Sequence, residues 1–161
     1  MAAKVIDIDQ LESPNVIEFI KKIDGDFKEN NQITAAPWRY FGLPNFRFCT
    51  LIDQEQLVGV SVTSQHPVSE HLNFLYVSST ERSRGYGKRL IEDWLDRSTK
   101  SLQTIHVRTE LLRTRHYYSH FGFAEIQPQD AKGRLNLWVE QCLRFNPNTY
   151  QNAVLMYRDI G

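Results

Sequence analysis

The feature that most constrains this chain is an apolar strand that stops, loops, and continues as a helix through a glycine-bearing turn. Residues 72–77, Leu-Asn-Phe-Leu-Tyr-Val, are apolar on both faces apart from Asn73, as an interior strand requires. Ser78-Ser79-Thr80-Glu81-Arg82-Ser83-Arg84-Gly85-Tyr86-Gly87-Lys88-Arg89 follows, and then Leu90, Ile91, Trp94 and Leu95 at helical spacing. The opening of a helix leaves backbone amides unpaired at the positive end of its dipole, where an anion can accept them. Gly85 and Gly87 let the backbone approach such an anion with no side chain between. Arg82, Arg84, Lys88 and Arg89 crowd positive charge around the turn, against Glu81 nearby. The whole chain balances 19 Lys plus Arg with 19 Asp plus Glu, so this local excess predicts a polyanionic ligand. A bare glycine turn beside a solvated basic helix face is the alternative that the turn alone leaves open.

Two commoner phosphate motifs are excluded. A nucleoside-triphosphate loop needs Ser or Thr after its Gly-Lys pair, and Arg89 follows Lys88. A dinucleotide fingerprint needs a third glycine at position 90, which is Leu90.

A length of 161 residues suits one domain spanning residues 1–161, with a core burying about 70% of the unfolded surface. Zero formal net charge argues against nucleic acid or an anionic membrane as a partner. The N-terminus lacks the apolar stretch of a signal peptide, and no apolar run approaches the roughly 20 residues that cross a bilayer. A cytoplasmic protein is therefore expected, as monomer or homodimer. Cys49 and Cys142 show no metal or redox spacing and are expected as buried free thiols.

Periodicity places the other elements. Residues 5–8 read as a short strand. Ser13-Pro14 signals a helix start, and Val16, Phe19, Ile20, Ile23 and Phe27 form its buried stripe. Residues 29–44 read as irregular. Residues 46–52 and 57–63 form a hairpin turning at 53–55, and residues 104–108 form a further strand. A helix carrying Leu111, Thr114, Tyr118 and Phe121 stops at Gly122, and residues 123–126 and 153–158 read as closing strands. Leu135, Leu137 and Val139 alternate like a strand, yet Leu135, Trp138, Val139, Cys142 and Leu143 fit a helix, so both readings stand. The order predicts an α/β fold of helices around one mixed sheet.

The segment from Arg82 to Gly87 resembles the acetyl-coenzyme A signature of the GNAT N-acetyltransferase superfamily: Gln or Arg, two residues, Gly, any residue, then Gly or Ala. Arg82, Gly85 and Gly87 satisfy it. Leu75-Tyr76-Val77 is similar to the strand that precedes it in the family, and Tyr118-Ser119-His120-Phe121-Gly122-Phe123 resembles its late helix. The resemblance implies a single-domain α+β fold, with a mixed, mostly antiparallel sheet of six or seven strands whose fourth and fifth strands splay. It implies acetyl-CoA as cosubstrate and an amine-bearing acceptor. Backbone amides of Arg82, Ser83, Arg84, Gly85, Tyr86, Gly87 and Lys88 would hold the pyrophosphate. The backbone of Leu75, Tyr76 and Val77 would pair with the pantetheine arm.

Transfer to an amine sets two tasks. A lysine-type amine with a pKa of about 10.4 is neutral in about one molecule in 2,500 at pH 7, a deficit of about 4.6 kcal/mol, so a base must offset it. The leaving thiolate must also be protonated. By its match to the family tyrosine, Tyr118 is the candidate acid, with Tyr117 as the alternative. His71 lies six residues before Val77, where the histone-type branch carries its catalytic glutamate, and is the candidate base. Glu70 is the neighbouring candidate. A water-exposed histidine at the strand entry is the bland reading of His71. Asp24, Asp26, Trp38, Tyr40, Phe41, Trp138 and Tyr150 are acidic and aromatic residues suited to a cationic acceptor. His116 and His120 sit four apart without the adjacent Glu of a zinc protease, so no metal is expected. The rival function is a non-catalytic acyl-CoA-binding or regulatory module on the same fold.

Overall fold

The computed structural model describes residues 2–7, 18–19, 21–23, 25, 43–108, 112–145 and 153–161, with no side-chain placement at 128 and 141–145. The strands are β1 (Lys4–Asp7), β2 (Phe46–Asp53), β3 (Gln56–Gln65), β4 (Glu70–Val77), β5 (Leu102–Arg108), β6 (Ala124–Ile126) and β7 (Ala153–Asp159). The labelled helices are α1 (Tyr86–Arg97), α2 (Leu112–Ser119) and α3 (Gly133–Phe145). Among the described residues, seven strands form one mixed sheet in the order β1-β2-β3-β4-β5-β7-β6. None of the described helices is long and apolar enough to cross a membrane.

The chain divides into two compact units, and β4 contributes to both. The first comprises Met1–Ser64 and Asn73–Arg97. Here β1 pairs antiparallel with β2, and β2 with β3. Strand alternation, with a register shift between Leu51 and Ile52 that turns Val58 to the other face from Val60 and Val62, sorts the apolar residues into two clusters. Phe48, Val60, Val62, Phe74 and Tyr76 pack with the helical residues Phe19 and Ile23. Ala3, Leu51 and Val58 pack with Tyr86 and Leu90 of α1. A Cβ at Gly59 would lie 3.0 Å from Leu90 Cδ1 and 3.1 Å from the Tyr76 carbonyl, so a side chain there would push α1 off the sheet. The remainder of the helix expected around residues 14–27 lies outside the described residues.

The β2–β3 loop is two residues long, and both residues are left-handed, Gln54 at φ 47° and Glu55 at φ 65°. This handedness matches the twist of the flanking strands, but glycine or asparagine adopts it at lower cost. Glu55→Gly is therefore expected to stabilise the protein by about 0.5–1 kcal/mol. A urea melt would show this as a raised midpoint. An unchanged or lowered midpoint would contradict the turn geometry.

The second unit comprises Gln65–Leu72 and Ser98–Gly161. In it β5 pairs antiparallel with β7, and β7 with β6, so the last strand inserts between two earlier ones. The parallel β4–β5 register runs over three pairs, Glu70↔Gln103, His71↔Thr104 and Leu72↔Ile105. Such a short register is consistent with splayed strands. The ambiguous stretch is helical as α3, because the helical period buries Trp138 and Val139 against Leu155 while Leu137 stays 50% exposed. An alternating strand would have put Leu137 inside with Leu135 and Val139.

Candidate active site

In the first unit, β4 ends at Val77, and the Ser78 amide donates to the Val58 carbonyl at 2.8 Å. A single 3-10 turn, Ser79–Glu81, leads to the glycine turn. Ser83 and Gly85 are left-handed, at φ 67° and 81°, which reverses the chain into α1. The Arg89 amide donates to the Gly85 carbonyl at 3.1 Å, and the amides ahead of it are the orphan donors of a helix start. No acidic residue lies in the first turn of α1 to neutralise its dipole. Arg82, Ser83, Arg84, Gly85 and Lys88 are exposed, Gly87 is half-buried and Tyr86 buried. A Cβ built on Gly85 would meet nothing within 4 Å, so this face of the turn is open.

The charge pattern is more balanced than the sequence implies. Arg84 Nη1 pairs with Glu81 Oε2 at 2.5 Å, and its Nη2 lies 3.8 Å from Asp53 Oδ2. The Tyr86 hydroxyl donates to Asp53, and Arg84 stacks 5.2 Å from the Tyr86 ring centroid. The Asp53 hydrogen bond, together with burial, holds the Tyr86 phenol above its ordinary range. Lys88 pairs with Glu92 at 3.6 Å. Arg82 Nε donates to the Val77 carbonyl at 3.2 Å and lies 6.0 Å from the Tyr76 ring centroid. Asp53, brought in by the hairpin, and Glu92 thus temper the basic cluster, and the amides and the helix dipole remain the main attraction for an anion. Leu75 and Val77 are half-buried, and Tyr76 is buried with its ring edge-on to Phe19 at 5.9 Å.

The second unit holds the titratable candidates. His71 is buried inside β4, which begins at Glu70 rather than Leu72, so it is not a water-exposed entry residue. Parallel pairing sets it beside Thr104, and strand alternation puts His106 on the same face. His71 Nδ1 lies 3.0 Å from Thr104 Oγ1, and His71 Nε2 lies 2.9 Å from His106 Nδ1. The Trp138 ring packs 5.9 Å from His71. Burial first, then the charges of His106 and His66, push His71 well below the usual imidazole range. Burial alone lowers His106. Both rings are therefore neutral at pH 7, the form a base needs.

Glu70 points to the opposite face, as its adjacency in the strand dictates. It is fully buried, and its Oε2 accepts from Ser98 Oγ at 2.5 Å. Its Oε1 has no hydrogen-bond partner among the described residues. Tyr118 is the buried residue of α2, edge-on to Phe123 at 6.2 Å and to Tyr117 at 5.7 Å. Burial, reinforced by Tyr117, raises its phenol far above the ordinary range, so it stays protonated. Tyr117 is half-buried. Gly122, at φ 86°, ends the helical segment as a left-handed stop. His120 Nδ1 engages the His116 carbonyl at 2.8 Å within its own helix.

Cys49 is a buried free thiol, which desolvation first and the Asp7 hydrogen bond next push up to about 12. Asp24, Asp26, Trp38, Tyr40, Phe41 and Tyr150 lie outside the described residues, as does the side chain of Cys142. Sequence reasoning missed Asp53, Thr104 and His106. The only signal for the last two was their i, i+2 spacing on one strand, which has no meaning until the neighbouring strand is known.

Solved acetyltransferases share this fold. A GNAT-family acetyltransferase from Staphylococcus aureus Mu50 matches with a TM-score of 0.70 at 17% identity, over 99% of this chain and 100% of that one. An N-acetylglutamate synthase from Neisseria gonorrhoeae, complexed with coenzyme A and N-acetyl-glutamate, matches at 0.70 and 13%, over 100% of this chain and 36% of that one. The ribosomal-protein-S18-alanine N-acetyltransferase of Escherichia coli matches at 0.63 and 13%, over 99% and 95%. At such identities the likeness is one of fold. No curated protein sequence matches. The family profile described as an acetyltransferase (GNAT) domain matches residues 26–137, and the chain belongs to that family.

Proposed function

We propose that this chain is an acetyl-CoA-dependent N-acetyltransferase that acylates a primary amine by direct attack, as one cytoplasmic domain, monomeric or homodimeric. The observation that carries this reading is the turn at the start of α1, with orphan amides and an unobstructed face at Gly85. These residues fit a coenzyme. Amides of residues 82–88 would hold its pyrophosphate, and the backbone of Leu75, Tyr76 and Val77 would pair with the pantetheine arm as an added strand. When bound, acetyl-CoA supplies an activated acetyl thioester.

The chain's own groups supply the proton chemistry. Tyr118, kept protonated by burial, donates to the leaving sulfur. Tyr117, half-buried beside it, is the second candidate. His71, kept neutral, is the candidate base for the attacking amine. Glu70 is the weaker candidate for the base, because its carboxylate is tied to Ser98 on the other face of the strand.

An assay that follows release of free coenzyme A thiol across a panel of primary amines tests this reading. Turnover with at least one amine is expected, with a melting temperature raised by coenzyme A. Binding without turnover on every amine would favour the non-catalytic module. No thermal shift at millimolar coenzyme A, with the protein folded, would sink both.

A further inference from the structure

His71 cannot easily serve an acceptor by itself. It is buried, and both ring nitrogens are already engaged, Nδ1 with Thr104 Oγ1 and Nε2 with His106 Nδ1. His106 is half-buried and is the first β5 residue after the last β4–β5 pair, Leu72↔Ile105. It sits where the two parallel strands stop pairing and is the more accessible ring of the two. We infer that His71 and His106 form one proton relay, in which His106 Nε2 takes the proton of the acceptor amine and His71 is the positioning residue behind it. This inference rests on the amine acetyltransferase reading.

One pair of tautomers gives the relay its direction. With the Thr104 hydroxyl turned to the Glu70 carbonyl, 3.5 Å away, its oxygen accepts from His71 Nδ1–H at 3.0 Å, and this is the tautomer the relay requires. His71 Nε2 is then a lone pair and accepts from His106 Nδ1–H, which makes His106 Nε2 the acceptor end of the pair. The two rings are nearly coplanar, with 7° between their planes, which aligns the shared proton with both nitrogen lone pairs. In the step, an N–H bond of the acceptor ammonium breaks and its electron pair stays on nitrogen. The proton goes to His106 Nε2, and the His106 ring keeps its Nδ1–H hydrogen bond to His71 Nε2. The result is a free amine and a His106 imidazolium held in place by a neutral His71. Solvent takes the surplus proton back after product leaves.

Groups from several elements border the pair. His66 precedes β4 and its charge acts on His71. Trp138 packs from α3, and Leu155 of β7 lies opposite His106 in the register. Glu70 lies on the other face, held by Ser98. With the imidazoles below the usual 6.5, the base form is complete at neutral pH and is lost only as pH falls further.

The test combines kinetics with nitrogen NMR of the imidazoles in the wild-type protein. Wild-type kcat/KM, measured with the best amine of the thiol-release panel, should show an acid limb below pH 6.5. His106→Gln should lower kcat/KM about 10²-fold or more and flatten that limb. His71→Gln should shift the limb while retaining part of the rate. NMR at pH 8 should show both rings neutral and protonated at Nδ1, a result that requires no variant to fold. A folded His106→Gln that keeps its rate and its acid limb would overturn the relay while leaving the acetyltransferase reading intact. So would a His71 ring protonated at Nε2. A folded wild type that acetylates no amine would instead remove the reading, and the relay with it.

Discussion

Gly85→Glu is expected to abolish the thermal stabilisation that coenzyme A confers on the wild-type protein. At a ligand concentration one hundred times Kd, binding should stabilise the native state by about 2.7 kcal/mol. For a chain of this size that amounts to a rise of roughly 5–10 °C. The variant fails for two reasons. A carboxylate placed on the open face of the turn repels a phosphate, and its stem occupies the space the anion would need. Residue 85 also has φ 81°, so any side chain there costs about 1–2 kcal/mol in the folded state itself. Gly85→Ala separates the two effects: it carries the backbone cost without the charge and should keep a reduced ligand shift. A Gly85→Glu protein that is stabilised as strongly as wild type would show that the turn does not hold the pyrophosphate.

The second large effect is expected at Tyr118. Replacing it with Phe removes one oxygen and keeps the ring that packs edge-on against Phe123 and Tyr117. Turnover should fall about 10²-fold or more, the range for loss of a positioned acid, while the coenzyme A thermal shift stays at its wild-type value. Burial lifts the phenol above its ordinary 10.0, so the acid form persists through that pH, and wild-type activity should show no alkaline loss from this group below it. Tyr117→Phe is the control. If Tyr117→Phe loses turnover and Tyr118→Phe does not, the acid role passes to Tyr117.

Most of the turn's own geometry was legible in the chain. Arg82, Gly85 and Gly87 are close neighbours in sequence, and their geometry depends on a strand end, a left-handed glycine and a helix start, all local properties. Its electrostatics were only half legible. The tally of basic residues could not include Asp53, which reaches Arg84 and Tyr86 from 31 and 33 residues away through the folding of the hairpin. Likewise, His71 could be named from its place before the strand, but its burial and its contact with His106, 35 residues on, could not. Glu70 and His71 look interchangeable in sequence. The sheet separates them, sending one to Ser98 and the other to Thr104 and His106.

The α3 segment teaches the same lesson about the fold. Leu135, Leu137 and Val139 satisfy a strand's period, and Trp138 and Val139 satisfy a helix's. The choice was made by what lay opposite, since Leu155, Ile126 and Ala131 accept the Trp138 and Val139 face and leave Leu137 in water. What the sequence alone determined was whatever depends on near neighbours: hydrophobic periods, the glycine stops and the anion-ready start of α1. Tertiary structure decided which strands became neighbours, and with that which imidazole met which and which charges were already spoken for. Those outcomes depend on contacts between residues tens of positions apart, and their energies exist only after the sheet has formed.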